Sequence, residues 1–276
     1  MARLGSIKYQ ISNIINSHNG IGVSKKEQRA NSGLKSLENG HNVSDKIHSY
    51  KSIENLRNDL TNLANFSKEK FEIKDISQIS ASNVRAWIES KQITYNTASN
   101  YLSELNKVAE HFSFSKEEMK ALREDLKAKL TNKTPETRAY KQLEKITLRE
   151  NSQVAFELQR DYGLRINAAT NINIEKQLKD NTLIYREKGG KLSQKELNAS
   201  LTSKIIKNAV NGKYEINKRT YLREIKKEIE KTGQKFNGSH GIRHAYAQKN
   251  IEEKKQSEVS HELGHSRTEI LKVYLR

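Results

Sequence analysis

The chain has 276 residues, of which 34% are hydrophobic and 30% charged, and its formal net charge is +17. This length accommodates two medium-sized domains, and the excess of Lys and Arg favours a polyanionic partner, because cations displace counterions from a phosphate backbone. The lack of cysteine excludes disulfides, thiolate metal sites and cysteine nucleophiles, and no apolar run is long enough to span a membrane.

Residues 1–43 are rich in Asn, Ser, Gly and Lys, and they contain one predicted helix, from Ile7 to Ile15. We interpret this region as a polar N-terminal extension, either an arm that contacts DNA or loosely ordered chain. The first residues lead into no signal-peptide core, which predicts a cytoplasmic protein.

Residues 44–130 show the apolar spacing of amphipathic helices. Four helices are predicted: Tyr50 to Phe66, a short one around Trp87, Thr97 to about Phe112, and one from the capping box at Ser115 to Leu130. Between the second and third helices lie four residues that we expect to contact DNA phosphates, although they also suit an ordinary helix start: Thr94, Tyr95, Asn96 and Thr97.

Residues 131–138 are polar, contain the only proline, Pro135, and are predicted to form a linker to a second domain, 139–276. That domain should contain a helix ended by Gly163, a β-hairpin with its turn at 189–190, a strand near 172–174 and a helix from Lys218 to Lys231. The predicted fold is mainly α, with a small β-hairpin or three-stranded sheet in the C-terminal domain. Residues 181–250 hold 16 Lys or Arg against six Asp or Glu.

The C-terminal segment concentrates residues suited to binding a phosphate. Ser239 is a predicted N-cap, so that His240 and Arg243 share one face at the start of a helix, where free N–H groups attract anions. A predicted helix break at Gly264, followed by a capping box at 266–269, leaves His265 between two helices. In one continuous helix Tyr274 would point away from His265, whereas the break allows both side chains to face one site.

This order of residues resembles the tyrosine recombinase (phage integrase) family. The motif H-x-x-R, then L-G-H, then a tyrosine nine residues later matches His240, Arg243, His265 and Tyr274. The sequence Gly163-Leu164-Arg165 matches the family's first arginine, and the hairpin supplies its lysine, for which Lys188 aligns best and Lys191 and Lys195 are alternatives. The chain departs from the family at Ala168, where an acidic residue is usual; Asn167 or Glu175 are candidates to replace it.

The resemblance implies a helical core-binding domain at 44–130 and an α+β catalytic domain at 139–276. It implies a site-specific recombinase that cleaves and rejoins DNA through a 3′-phosphotyrosine, without metal, ATP or another cofactor. Tyr274 would be the nucleophile and His240 a base. The other catalytic roles would be phosphate binding by Arg165 and Arg243, protonation of the leaving 5′-oxygen by Lys188, and hydrogen bonding by His265.

The resemblance further implies a specific double-stranded DNA site, assembly on it as a tetramer of two dimers, a DNA contact by Lys191, and a role in a mobile genetic element. A clustering of His240, His244, His261 and His265 suggests a metal site, but their places at a helix start and a helix break explain them without a metal. The sequence therefore predicts no cluster of metal ligands.

Two other functions stay open. A type IB topoisomerase would use the same chemistry to relax supercoiled DNA. A basic DNA-binding protein descended from a recombinase would have weakened catalysis, and Ala168 is the feature in its favour. Because only two residues follow Tyr274, we expect this tyrosine to act in the site of its own protomer.

Overall fold

The computed structural model describes residues 5–132, 137–187, 190–265 and 268–275. The chain divides into two compact units, residues 1–134 and 135–276. This division falls within the predicted linker, of which residues 133–136 lie outside the described part of the chain. The described helices include none that is both long and apolar enough to cross a membrane.

The first unit is helical. Its α-helices are α1 (Ile7–Ser17), α2 (Lys25–Asn31), α3 (Tyr50–Phe71), α4 (Ala81–Glu89), α5 (Tyr95–Leu105) and α6 (Lys116–Lys129), and its 3₁₀ helices span Ile76–Gln78 and Asn106–His111. The capping box predicted at Ser115 is present, with its hydroxyl and the Glu118 carboxylate closing the first turn of α6.

Apolar residues of α1, together with Leu37 and Ile47, belong to the same core as the four predicted helices. Ile11, Ile14 and Ile15 of α1 are buried together with Ile47 and with the apolar faces of α3 to α6. Residues on both sides of the boundary expected at residue 43 therefore contribute to one core. Beyond Ile15 the few apolar residues are scattered through a polar segment without a helical period, so their burial could not be inferred from the sequence.

The second unit combines helices with two small antiparallel sheets. Its α-helices are α7 (Glu150–Tyr162), α8 (Ile166–Ala169), α9 (Ile174–Gln177), α10 (Ala199–Lys207), α11 (Lys218–Lys231), α12 (His240–Ile251) and α13 (Gln256–Glu262), and its 3₁₀ helices span Leu143–Lys145 and Thr268–Val273. Its strands are β1 (Asn171–Asn173), β2 (Leu178–Lys179), β3 (Thr182–Arg186), β4 (Leu192–Glu196) and β5 (Lys213–Glu215). The predicted fold class is confirmed.

The sheets differ in detail from the prediction. The hairpin of β3 and β4 forms, with Tyr185 opposite Ser193, but its third strand is β2. The strand predicted near 172–174 pairs instead with β5 in a separate sheet. Such long-range pairing depends on tertiary packing, which a local apolar pattern does not record.

The final segment of the chain is held by a small apolar cluster of its own. Leu271 and Tyr274 are buried against Tyr246 and Ala247 of α12 and against Val259 and Leu263 at the end of α13. This packing carries Tyr274 back to the start of α12.

We expect Ile11→Ala to lower the free energy of unfolding of the first unit by about 2–5 kcal/mol, because the Ile11 side chain is only 2% exposed. Urea denaturation followed by the fluorescence of Trp87 measures this, since the only tryptophan lies in the same core. The control is Val23→Ala, at a position that is 49% exposed and should change the transition little. An unchanged transition in Ile11→Ala would show that α1 is not part of this core.

Candidate active site

Arg165 is positioned by the end of α7. Gly163 follows this helix in the left-handed conformation, with φ of 66°, and reverses the chain so that Arg165 stands at the start of α8. A Cβ at residue 163 would also lie 2.6 Å from the Tyr246 ring. Both features require glycine at this position, so the predicted helix break before Arg165 is confirmed.

Arg243 is fully buried on α12, rather than at the surface. Its two terminal nitrogens donate to the backbone carbonyls of Gly163 and Leu263. Its Nε is buried without a hydrogen-bond partner among the described residues. One donor of a buried cation is thus unused by the protein.

The start of α12 differs from the expected N-cap. The helix begins at His240 as predicted, but Ser239 has helical backbone angles and its side chain makes no capping hydrogen bond. The backbone there is already turned into the helix by the residues before it, since Gly241 N–H donates to the Gly238 carbonyl. The anion-binding character of this region therefore rests on the side chains of His240 and Arg243.

Tyr274 lies at the centre of the cluster, with only 4% of its surface exposed. Its hydroxyl is 3.2 Å from His265 Nε2, and Tyr274 lies near enough to Arg165 for the two groups to interact electrostatically. The ring lies 4.5 Å from that of His244 and 5.5 Å from that of His240, and the Arg243 guanidinium carbon lies 5.9 Å from the ring centre. As predicted, His265 stands between α13 and the last 3₁₀ helix, on the same site as Tyr274. The capping box expected at 266–269 involves residues 266 and 267, which lie outside the described residues.

The two histidines that the sequence selected are held neutral. Desolvation and then the charges of His244, Arg243, Arg165 and Arg138 lower the pKa of His240 to about 4. His240 is exposed, so the neighbouring cations are the firmer cause. Desolvation and the same two site arginines lower the pKa of His265 to about 4. Near pH 7 each can accept a proton.

His244 was not selected from the sequence, although it belongs to the cluster. It is buried one residue after Arg243, and its ring packs against that of Tyr274. Desolvation lowers its pKa below the usual range. The adjacent H-x-x-R motif indicated that this turn of the helix is functional. The helical period alone, however, did not indicate that residue 244 faces inward.

A carboxylate also contacts Arg165, and it comes from an unexpected residue. Neither Asn167 nor Glu175 fills the place left by Ala168, since both side chains are exposed. Instead Glu187, just after β3, forms an ion pair with Arg165 and is itself almost fully buried. Gly264 permits this approach, because a Cβ there would lie 2.6 Å from the Glu187 carboxyl carbon.

The candidate lysines have different surroundings. Lys188 lies outside the described residues, and Lys191 is exposed. Lys195 on β4 is mostly buried, 3.5 Å from the Tyr246 hydroxyl and 3.9 Å from Glu262. The pKa of Lys195 is lowered to about 8, mainly by desolvation; Glu262 opposes this shift, and Lys254 and Arg243 add to it.

The stretch proposed to contact DNA in the first unit lies at the start of α5. Thr94 precedes the helix, and its hydroxyl is 3.3 Å from that of Thr97. The Asn96 backbone N–H donates to the Asn132 side chain. The side chains of Tyr95 and Asn96 take no part in the core, so a DNA contact at these positions stays a prediction.

No family model matches the sequence, and no curated protein matches it either. Solved structures do match. XerH site-specific recombinase in a pre-cleavage complex with its difH substrate is 15% identical, with a TM-score of 0.61 over 98% of this chain and 92% of that one. A lambda integrase(75-356) dimer bound to a COC′ core site is 14% identical, with a TM-score of 0.58 over 83% and 89%.

The Tn1549 transposon integrase, in complex with transposon right end DNA, is 11% identical, with a TM-score of 0.57 over 99% of this chain and 95% of that one. At these identities the likeness concerns the fold, and it extends over nearly the whole chain. The resemblance inferred from the sequence is confirmed at this level: the chain has the fold of the tyrosine recombinases.

Proposed function

We propose that this protein is a tyrosine recombinase that cleaves and rejoins DNA at a specific site. The observation that carries the proposal is the placement of the Tyr274 hydroxyl between His265 and Arg165, above the buried guanidinium of Arg243. A phenol, two guanidiniums and neutral imidazoles in one cluster supply a nucleophile, phosphate binding and a proton acceptor.

In the proposed reaction the Tyr274 oxygen attacks the phosphorus of the scissile phosphodiester and loses its proton, with His240 as the acceptor. The bond from phosphorus to the 5′-oxygen breaks, and a hairpin lysine protonates that oxygen. The products are a 3′-phosphotyrosine and a free 5′-hydroxyl. Attack by a 5′-hydroxyl on the phosphotyrosine reverses the step and restores a phosphodiester, so rejoining needs no ATP.

The two arginines would hold the non-bridging oxygens. The Nε donor of Arg243 has no hydrogen-bond partner in the described part of the chain, and Arg165 is oriented by Glu187, so each can direct a donor at a phosphate. Because Tyr274 is buried against Arg243, entry of the phosphate requires the tyrosine ring to shift from this position. The segment from Thr268 to Leu275 is the part that would move.

The structures with this fold are recombinases in complexes with DNA, and one is described as a dimer on a core site. We extend this to the present chain: a double-stranded recombination site as substrate, assembly as a tetramer of two dimers, and residues 44–130 as a core-binding domain with DNA contacts at 94–97. Lys191, in the second unit, would make a further DNA contact. The excess of basic residues at 181–250 supports the DNA partner.

The buried carboxylate weakens the alternative of a DNA-binding protein with decayed catalysis. That alternative rested on Ala168, yet Glu187 provides Arg165 with an acidic partner from another position. A type IB topoisomerase would relax a supercoiled plasmid that lacks any recombination site, and the proposed recombinase should not.

We expect a covalent adduct on nicked DNA carrying the sequences that flank the gene, and mass spectrometry should map it to Tyr274. Tyr246 should not react, because burial and the hydrogen bond to Glu262 raise the pKa of its hydroxyl well above the usual range. Tyr274→Phe should abolish the adduct while leaving DNA binding intact. An adduct that persists in Tyr274→Phe would contradict the assignment.

A mixture of Tyr274→Phe and Arg243→Ala proteins tests which protomer supplies the tyrosine. Tyr274 meets His265 and Arg165 of its own chain, so we expect the mixture to remain inactive. Strong cleavage by the mixture, with neither variant active alone, would show that the tyrosine acts in a neighbouring protomer.

Glu187→Gln should lower the rate of adduct formation about 10- to 100-fold, because Arg165 would lose the group that orients it. The matched control is Glu175→Gln, which changes an exposed carboxylate and should have no effect. If Glu187 had a purely structural role, Glu187→Gln would lower the thermal stability and the cleavage rate together. A positioning role predicts instead that Glu187→Gln adds little to the defect of Arg165→Ala.

Lys188→Ala should slow cleavage about 10²- to 10⁴-fold, as expected for loss of a general acid. A substrate with sulfur in place of the leaving 5′-oxygen should restore the rate, because a thiolate leaves without being protonated. Lys195→Ala is the comparison, since its lowered pKa of about 8 also suits proton donation. If the sulfur substrate restores the cleavage rate of Lys195→Ala but not that of Lys188→Ala, the general acid is Lys195.

A further inference from the structure

Three potential metal ligands meet in the first unit, far from the proposed active site in sequence. His18 follows the last turn of α1, and Glu110 and His111 end the 3₁₀ helix that begins at Asn106. Ligand atoms of all three lie within 4.8 Å of one another. The sequence predicted no such cluster, because more than 90 residues separate its parts and no short motif joins them.

The separations of the carboxylate from the two rings suit a shared ion better than hydrogen bonds, whereas the two ring nitrogens lie at hydrogen-bonding distance. His18 Nε2 and His111 Nε2 are 3.2 Å apart, and the Glu110 Oε1 atom lies 3.5 Å from the first and 3.7 Å from the second. Both carboxylate distances exceed those of ordinary hydrogen bonds, which are about 2.7–3.2 Å. Ligands about 2.0–2.1 Å from a tetrahedral Zn²⁺ are separated by about 3.3–3.5 Å, close to the observed triangle.

The surroundings of His18 are those of a metal ligand. Its side chain is 3% exposed, and its Nδ1 lies 2.7 Å from the Asp45 carbonyl oxygen. A carbonyl can only accept, so Nδ1 carries the proton and Nε2 presents its lone pair to the cluster. Asp45 is fixed in turn by a hydrogen bond from Gln28. The tautomer of His18 is therefore set by the fold.

His111 completes the pair from the opposite side. Its ring meets that of His18 edge to face, with centroids 5.3 Å apart, so the two Nε2 atoms converge without stacking. The Ser17 hydroxyl lies 3.3 Å from His111 Nε2.

We infer that His18, Glu110 and His111 form a binding site for Zn²⁺, with a fourth position open to water or to the Ser17 hydroxyl. The ion would join the end of α1 to the end of the 3₁₀ helix at 106–111 and so stabilise the first unit. The site is independent of the proposed cleavage chemistry.

A zinc-binding measurement on the full chain tests this inference. The protein is purified without a histidine tag and stripped of metal. Titration with Zn²⁺ against a chromophoric chelator should show a site in the wild type that weakens about 100-fold in His111→Gln and in Glu110→Gln, since each removes a direct ligand. His41→Gln is the control, because His41 is an exposed histidine of the same unit. It should bind zinc like the wild type.

Two further measurements separate this site from other histidines of the chain. Co²⁺ should give the visible absorption of a tetrahedral site in the wild type and not in His111→Gln. Zinc should raise the denaturation midpoint reported by Trp87 in the wild type and in His41→Gln, but not in Glu110→Gln. A wild-type protein that binds no zinc, or zinc binding that is equal in the wild type and both ligand variants, would overturn the inference.

Discussion

The buried guanidinium of Arg243 is the constraint on which the candidate active site depends. A buried cation is costly unless its donors are satisfied, and this one donates to two backbone carbonyls, those of Gly163 and Leu263. Arg165 lies two residues after the first carbonyl, and His265 lies two residues after the second. One side chain on α12 thereby fixes the turn after α7 and the turn after α13, and it brings their functional residues to Tyr274.

The charge of the cluster follows from the same packing. Two arginines and three histidines surround Tyr274, and one of them, Arg165, forms an ion pair with Glu187. Desolvation, together with positive charge that is only partly balanced, makes protonation of His240 and His265 unfavourable, so the pKa of each falls to about 4. An anion placed between the arginines would supply the missing negative charge, and a phosphodiester has the required chemistry.

Much of this arrangement could be predicted from the sequence, because it depends on local signals. Apolar periodicity located α3, α7 and α11, and glycines marked the breaks before Arg165 and His265. The order of motifs then indicated the fold, which the solved structures confirm. These features need only a few consecutive residues to be recognised.

The parts that were missed depend on contacts between distant segments. Glu187 could not be distinguished from other hairpin residues until β3 was placed beside Gly264. The burial of Ile11 and Ile14 required knowledge of the surface that they meet, and the absence of a cap at Ser239 reflects the turn before it. The convergence of His18 and His111 spans nearly the whole first unit.

The close approach at Gly264 has a consequence for sequence variation. Residue 264 has φ of 68° and no room for a Cβ, because the Glu187 side chain occupies that space. Two positions far apart in the chain are thus sterically coupled, and a side chain at 264 would require the carboxylate beside Arg165 to come from elsewhere. In homologues, residues 168 and 187 should therefore vary together, with an acid at 168 releasing position 187 to change.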